Sequence, residues 1–405
     1  MRTNINFKII KIISNYPHLN FRLKMQAYLL ESWFLCLSIT GIYRMIRKFS
    51  FLTIFLFCLF FVTEIQSEET INIAEVEKSK ETKFANAVKI LAGDNFYEIH
   101  IADKPFARYV KDFEGTPIIY PIYIKDDKLI TRSFPMENRN VITNDHLHHR
   151  SFWFTHGKVN GTDFWLTDKK LKNIGKIVHR KTRKAEVSGE NTAIIVTENN
   201  WINQRNEIIC SDIRSFNFGV TELGNRYIDF EITVTALADK VTFYDTKEGT
   251  FGIRVADSLA VDTARSRAKA GAKQNKILPS AYIVNAEDKF DEEAWGKRSA
   301  WVDYVGQLNG GETVGIAVMN HPSSFRYPTY WHVRTYGLFA ANPFGERSFG
   351  VRKKSNQDKQ SGGDFVMTKG QSFMLRYKII FHSGEIKKST IKEEFKKYSN
   401  EQFIR

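Results

Sequence analysis

The densest group of residues able to do chemistry lies between His146 and Gly157. Four of the chain's ten histidines fall there within eleven residues, at positions 146, 148, 149 and 156. Imidazole titrates near neutral pH and binds metals, and the neighbouring Arg150 can hold a carboxylate or phosphate with its planar fork. We therefore expect a histidine-rich loop at the centre of any functional site.

The same segment offers flat apolar rings. Trp153 and Trp165 flank the turn signal Asn160-Gly161. This spacing places the two indoles on the arms of a hairpin, where each could stack on a sugar ring.

Two other segments carry comparable chemistry. Alternation over Trp331–Phe339 predicts a strand that presents His332 and Arg334 on one face. Glu248 stands directly before a second predicted strand, where the end of a sheet can hold a carboxylate; a surface turn is the alternative for that residue.

The histidines also allow a metal site. In an extended segment His146 and His148 would face the same side, and zinc or iron usually needs a third ligand. His156, His321, His332 or Glu248 could supply it. The spacing matches no strong metal signature, and the alternative is that these histidines form hydrogen bonds inside a polar loop. A divalent metal is thus a cofactor that the cluster allows; the cofactor is otherwise unknown.

Strand patterns dominate from about Ala87 onward. In Arg226–Ala238 apolar residues alternate with polar ones, which is typical of a half-buried antiparallel strand. Lys369-Gly370 is predicted as the turn of a hairpin that joins 364–368 to 371–382. Similar strand patterns occur at Phe96–Ile101, Pro117–Ile124, Thr192–Thr197, Thr250–Val255, Thr313–Met319 and Phe373–Phe381.

Helical patterns are scarce. No stretch between 84 and 383 predicts a long amphipathic helix, and Asp257–Lys297 is polar enough to be interpreted as a long loop. Near the end, Thr390 and Glu393 fit a capping box, so we expect a C-terminal helix. Many strands and few helices predict a mostly β fold, a large antiparallel β-sandwich.

The N-terminal region has the pattern of a targeting signal. A basic start after Met45, the apolar run Phe49–Val62 and the small residue Ser67 fit a signal peptide. The run is shorter than the ~20 residues of a membrane span. We expect cleavage near Ser67, a periplasmic or secreted mature protein, and no transmembrane anchor after processing. Residues 1–44 are interpreted as a gene-start artefact, 45–67 as the signal peptide, 68–83 as a linker, 84–383 as the β-sandwich domain and 384–405 as the C-terminal helix.

Charge and cysteine positions indicate which partners and which crosslinks to expect. The formal net charge is +14, of which residues 1–67 contribute six, and the other basic residues are scattered among acids. This favours a solvated surface over a nucleic-acid site. Of three cysteines only Cys210 follows the expected cleavage point, so no internal disulfide is expected there. The sequence does not indicate the oligomeric state.

Together these motifs resemble the bacterial PmoA-family domain, a domain of unknown function labelled a methane oxygenase in some descriptions. The resemblance covers about residues 84–383. Its matching residues are Pro105-Phe106-Ala107-Arg108-Tyr109, His146-x-His148-His149-Arg150-Ser151-x-Trp153-Phe154-x-His156-Gly157, Val159-Asn160-Gly161-x-Asp163-Phe164-Trp165, Lys247-Glu248-Gly249-Thr250-Phe251, Thr329-Tyr330-Trp331-His332-Val333-Arg334 and Ala341-Asn342-Pro343-Phe344-Gly345.

The resemblance implies a galactose mutarotase-like supersandwich and work on carbohydrate. No apolar run after residue 67 approaches the length that a membrane-spanning methane oxygenase subunit needs. By residue type alone, the resemblance implies His149 or His332 as the acid and Glu248 as the base.

Three functional hypotheses follow. The first is an exported carbohydrate-active protein, an epimerase, lyase or hydrolase by type, with a small-molecule sugar or glycan as its ligand. Its catalytic residues would be His149, Glu248 and His332, and its substrate-binding residues Arg150, Trp153, His156, Asn160, Asp163, Trp165, Arg254, Arg334 and Asn342. The second is a metal-dependent oxidoreductase or hydrolase that uses His146 and His148. The third is a non-catalytic glycan-binding module.

Overall fold

The computed structural model describes residues 87–401 apart from 127, 140, 168–169, 190, 273–280, 310 and 351–362. Backbone proximity divides the chain into 1–80 and 81–405, and the described residues belong to the second unit. The predicted gene-start segment, signal peptide and linker lie outside the described residues.

Two large sheets account for most of the described strands. The first contains nine strands, and in it β5 pairs only with β4. Its order is β1 (Val88–Ala92), β2 (Phe96–Ile101), β3 (Lys104–Val110), β4 (Ile118–Lys125) with β5 (Lys128–Leu129), β6 (Phe152–His156), β12 (Gly249–Arg254), β17 (Leu338–Asn342) and β16 (Tyr330–Val333).

The second sheet contains eight strands, and a separate pair completes the set. The order in the second sheet is β13 (Tyr282–Asn285), β14 (Trp301–Gln307), β15 (Thr313–Asn320), β19 (Ser372–Ser383), β10 (Arg226–Ala236), β9 (Ile208–Val220), β8 (Thr192–Ile202) and β7 (Lys176–Ser188). The pair is β11 (Lys240–Phe243) with β18 (Phe365–Thr368). Neighbouring strands in all three run antiparallel, so the predicted fold class is confirmed.

Alternation decides which face of each sheet is buried. In β10 the apolar residues Ile228, Phe230 and Ile232 are at most 1% exposed, whereas the intervening residues lie on the other face. The two inner faces meet through aromatic rings: Phe152 lies 5.4 Å from Phe230, centroid to centroid, in an edge-on contact. Burial of apolar surface, to which these rings contribute, is the main favourable term in the stability of the sandwich.

Two sequence-based expectations about elements are wrong. Gln371 donates to Thr368 across the predicted Lys369-Gly370 turn, but β18 then pairs with β11, whereas β19 pairs with β10 and β15. The Lys369-Gly370 turn therefore leads from the two-stranded sheet of β11 and β18 into the eight-stranded sheet that contains β19, and β18 and β19 do not pair as a hairpin. The Asp257–Lys297 segment is not simply a loop, because it contains helix α1 (Val261–Ala272), strand β13 and a short 3-10 turn (Asp291–Ala294).

The C-terminal helix is present as α2 (Lys388–Ser399). It buries Ile391 and Tyr398 in a small cluster with Trp301 and Ile380 of the second sheet. The capping box at Thr390 is wrong, because the helix begins two residues earlier, after Lys387. Among the described residues no helix combines the length and apolar character needed to cross a membrane.

A buried ion pair ties three strands of the second sheet together. His382 on β19 donates from Nε2 to Asp303 on β14 at 3.0 Å and from Nδ1 to the carbonyl of Gly384 at 2.9 Å. Both ring nitrogens face acceptors, as in an imidazolium cation. Burial lowers the pKa of His382, but the Asp303 charge and the hydrogen bonds to Asp303 and Gly384 together outweigh burial and raise it. Gly315 on β15 lies directly against this ring, where a Cβ would collide with it.

The variant Asp303→Asn should therefore be strongly destabilised. It leaves the His382 cation buried without its counter-charge, which typically costs about 3–5 kcal/mol. Denaturant unfolding measures the change. Asp288→Asn is the control, because its partner Lys388 and its own carboxylate are exposed and such pairs contribute at most about 1 kcal/mol. Equal losses in the two variants would contradict this account of the core pair.

Candidate functional site

Three side-chain donors hold the turn that carries Glu248. His156 Nε2 bonds the carbonyl of Tyr244 at 2.8 Å, and Asn342 Nδ2 bonds that of Thr246 at 2.6 Å. His332 Nδ1 bonds the carbonyl of Lys247 at 2.9 Å. Carbonyls only accept hydrogen bonds, so each of these atoms is the donor, and the 244–248 turn is fixed from β6, β17 and β16 at once.

A glycine lets the backbone of β6 approach this turn closely. The Gly157 amide donates to the Glu248 carbonyl at 2.7 Å. A Cβ at Gly157 would lie 2.8 Å from the Glu248 oxygen and 2.9 Å from its Cβ. Glycine is therefore required beside Glu248 for steric reasons.

These contacts change the roles expected for His156 and Asn342. Both side chains have no exposed surface, so neither is placed to contact a ligand. Their hydrogen bonds make them positioning residues for Glu248. The two side chains were singled out by type, but the sequence does not indicate that they face the turn rather than solvent.

Two buried arginines hold the histidine loop, residues 142–151. Arg132 pairs with the Asp145 carboxylate at 2.8 Å and donates to the carbonyls of Asp145 and His146 at 3.0 and 3.1 Å. Arg254 lies 3.5 Å from the same carboxylate and donates to His149 Nδ1 at 3.4 Å. Arg254 thus positions the loop, and its burial, with 1% exposed, argues against the expected contact with a ligand.

The loop is not extended as the His146/His148 metal hypothesis requires. His146 has a positive φ of 49°, and the His149 amide bonds its carbonyl. The rings of His146 and His149 are stacked 4.6 Å apart, with Tyr336 stacked on His146 at 5.3 Å and Trp153 on His149 at 5.5 Å. His148 stands edge-on to this stack, 4.5 Å from His149. The stack covers the His149 ring, which is 1% exposed.

The Glu248 surface is the set of groups that this carboxylate influences through its charge. Glu248 is itself 26% exposed and pairs with the neighbouring Lys247. Its negative charge acts to raise the pKa of four groups, whatever the net direction in each. They are His148, His332, Asp163 and Tyr336. Two imidazoles, a second carboxyl and a phenol are therefore near enough to Glu248 to feel its charge.

Burial decides the protonation of these groups. It lowers the pKa of His332 to about 4, although Glu248 and the Lys247 carbonyl oppose the change. It likewise lowers the pKa of His148 to about 4, and the pKa of His149 well below its usual value. Near neutral pH all three rings are uncharged, and His332, with its proton on Nδ1, has a lone pair on Nε2. Burial raises the pKa of Tyr336, whose hydroxyl stays protonated.

Both tryptophans expected to stack on a ligand are buried. Trp153 and Trp165 are 2% and 1% exposed, and their rings pack on each other at 5.0 Å. The predicted turn between them is present, with φ values of 49° at Asn160 and 82° at Gly161. Two half-buried rings are instead associated with the Glu248 surface: Tyr336 belongs to it, and Trp295 lies beside His332.

Sequence reasoning missed both of these rings. The half-buried Trp295 lies 6.2 Å from the His332 ring and sits in the segment interpreted as a loop, where nothing in the pattern marks it. Tyr336 falls within the predicted strand Trp331–Phe339, and the pattern gives it no role. That strand is interrupted by a turn, in which Gly337 bonds the carbonyl of Arg334, and the turn brings Tyr336 to His146.

The remaining expected binding residues have structural partners. Arg150 is 3% exposed and donates to the carbonyl of Phe113 at 3.2 Å. Asn160 bonds the backbone of Lys240 and Thr242, which ties its turn to β11. Asp163 accepts the amides of Trp165 and Leu166 at 2.8 and 2.9 Å. Of the predicted binding residues, Asn160 and Arg334 are exposed, and Arg334 lies beside Tyr336.

A metal centre has little support among the residues that the structure describes. No group of three His, Cys, Asp or Glu side chains in that part of the chain is arranged to hold an ion. His146 Nδ1 is 2.9 Å from the Asp145 carboxylate, which Arg132 also binds. The metal hypothesis stays a prediction, because the described residues show no arrangement of ligands that supports it.

Cys210 is buried and free, which is typical of a small core residue.

A cleft of about 220 Å³ opens beside Arg132, apart from Glu248. None of the predicted site residues lines it. Its cations are paired: Lys128 with Glu312, Arg132 with Asp145 and Arg139 with Glu137. We place the candidate site at the Glu248 surface, because a partly exposed carboxylate lies there among titratable groups.

The chain matches a family model over residues 97–396, and the description of that family is a family of unknown function (DUF6807). The match overturns the resemblance to a PmoA-family domain, which is wrong. No curated protein matches the sequence.

Two solved structures are similar in outline. One is a GalM/aldose epimerase homologue from C. elegans, with 7% identity over 74% of this chain and 100% of its own, and a TM-score of 0.28. The other is the polysaccharide lyase BACCELL_00875, with 10% identity over 74% of this chain and a TM-score of 0.25. The similarity covers 33% of that lyase. At these scores neither likeness carries an argument about activity.

The buried neutral histidines should make the fold sensitive to acid. Burial lowers the pKa of His148, His156 and His332 to about 4 from an ordinary value of 6.5. Their stabilising contribution is therefore complete above pH 6.5 and is lost as the pH falls through 4, because the unfolded chain binds these protons first. We expect the free energy of unfolding to drop by several kcal/mol across this window.

The variant His156→Gln tests the assignment. It keeps an N–H donor for the Tyr244 carbonyl and removes one titrating ring, which should shrink the drop by about 3 kcal/mol. Denaturant unfolding at several pH values gives the slope of the unfolding free energy against pH. A loss of stability that is the same at every pH does not change this slope. An unchanged slope in the variant would contradict the buried, neutral state of His156.

Proposed function

The chain belongs to the family of unknown function DUF6807, and we propose that it is a carbohydrate-active protein that moves protons on a sugar or glycoside at the Glu248 surface. One observation supports this most directly. Three side-chain donors hold the backbone turn that carries a partly exposed carboxylate, and two neutral imidazoles and a protonated phenol lie near enough to feel its charge. Pairs of groups held in opposite protonation states are what general acid–base catalysis requires.

The roles follow from the protonation states. Glu248 accepts a proton from the substrate, and Tyr336 is the proton donor. The half-buried and neutral His148 accepts a hydrogen bond from a sugar hydroxyl, whereas the buried His332 positions the Glu248 turn. The low pKa of His149 and His332 argues against the acid role that the sequence suggests for them, since neither carries a spare proton at neutral pH.

Aromatic rings supply the apolar part of the ligand site. Tyr336 and Trp295 border the surface, and rings of this kind bind sugars through their apolar faces. The predicted export of the chain, whose signal lies outside the described residues, is part of the same proposal. It would bring the mature protein to polysaccharide outside the cytoplasm.

The variant Glu248→Gln should lose turnover by about 10²- to 10⁴-fold, the usual contribution of a general base, while its unfolding midpoint stays within a few degrees. The assay is a panel of free aldoses, glycosides and polysaccharides read by product formation. Glu393→Gln, on the exposed face of α2, is the matched control and should behave as wild type. Turnover that survives in Glu248→Gln would contradict the proposal, and wild-type binding without product would favour a glycan-binding module.

The variant Tyr336→Phe should lose about 10²-fold in turnover and keep ligand affinity, because it removes the proton donor and preserves the ring. The ring would still stack on His146 and beneath Arg254, whose guanidinium carbon lies 4.9 Å from its centroid. Initial rates and direct binding on the best substrate separate the two effects. Full activity in this variant would assign the acid to another group.

A further inference from the structure

Arg334 differs from the other arginines near the Glu248 surface in what its guanidinium contacts. Its carbon lies 5.6 Å from the Tyr336 ring centroid and 5.9 Å from that of Trp295. Such distances are typical of cation–π contacts. Two rings from separate segments therefore hold one planar cation.

The backbone of Arg334 is fixed as well. Its amide donates to the carbonyl of Leu338 at 2.7 Å, and its carbonyl accepts from Gly337 at 2.9 Å and from the Tyr304 hydroxyl at 3.3 Å. The side chain nevertheless remains exposed. The two rings and the fixed backbone thus pre-orient the guanidinium at the surface.

Within the described part of the chain, no carboxylate forms an ion pair with Arg334. The neighbouring cations are all paired: Arg132 and Arg254 with Asp145, and Lys247 with Glu248. Glu292 feels the charge of Arg334, but its carboxylate is bonded by Arg265. The N–H groups of Arg334 therefore remain available, and a guanidinium has five of them and no acceptor.

We propose that Arg334 binds an anionic group of the ligand, and that the ligand of the Glu248 surface is a carboxylated sugar, such as a uronic acid residue of a polysaccharide. The planar fork matches a carboxylate through two parallel hydrogen bonds. The positive charge also offsets repulsion between the ligand and Glu248. This inference rests on the proposed sugar site and specifies the substrate class.

The test is calorimetric titration of oligomers of galacturonate, glucuronate, mannuronate and guluronate, each beside its neutral methyl ester. We expect wild type to bind at least one acid about 10- to 100-fold more tightly than the ester, as charge-assisted hydrogen bonds provide. Arg334→Gln should bring the acid to the affinity of the ester and leave the ester unchanged. Arg334→Lys should keep only part of the preference, since a point charge lacks the fork.

Arg298→Lys is the matched control. Arg298 also lies over a ring, 5.4 Å from Tyr330, but its guanidinium is occupied by the carbonyls of Arg326, Tyr327 and Pro328. This variant should keep the full preference for the acid. Thermal unfolding of all variants checks that each is folded.

The outcomes separate the two proposals. An acid preference that survives in Arg334→Gln, or equal affinity of wild type for acid and ester, overturns the role of Arg334 and leaves the sugar site standing. If wild type binds galactose 6-phosphate but no uronate, and Arg334→Gln loses that binding, the anion is a phosphate and the proposed carboxylate is wrong. Failure of wild type to bind any acid or ester overturns the inference, whereas the proposed function is decided separately by the panel of aldoses, glycosides and polysaccharides.

Discussion

His156, His332 and Asn342 reach from three strands of one sheet to three carbonyl oxygens of the 244–248 turn, and the position of Glu248 depends on those hydrogen bonds. β12 starts directly after the turn and lies between β6 and β17, which bring two of the donors. Leaving one buried partner unpaired costs about 1–3 kcal/mol. The backbone that carries Glu248 is thus fixed by the sheet, which suits a group that must meet a substrate in one geometry.

A second constraint is electrostatic. The histidine loop is fixed by cations, Arg132 and Arg254, which share the Asp145 carboxylate. Burial beside these cations keeps the pKa of His149 low, and burial alone is the main cause of the low pKa of His148 and His332. Burial and the framework that orders the loop therefore act in the same direction on His149, and burial keeps the rings of His148 and His332 neutral near pH 7.

Local patterns in the sequence predict much of the fold. Period-two alternation identifies β10 and most of its neighbours, because half-buried strands need it. Pairing is non-local, and this is why the hairpin expected around Lys369-Gly370 is a crossing between sheets. At the site, Glu248, His332 and Arg334 were identifiable by type and context. The burial of Trp153 and His156, and the partial exposure of Trp295, depend on which strands become neighbours, which one sequence does not reveal.

The most direct test of this account is the titration of histidine side chains by NMR in wild type and in Glu248→Gln. The account expects His148 and His332 to titrate near pH 4, with the proton of neutral His332 on Nδ1. Because the Glu248 charge raises both pKa values, removing it should lower both further. Titration near pH 6.5, or values that do not move in the variant, would contradict the arrangement of neutral imidazoles around Glu248 on which the proposed chemistry depends.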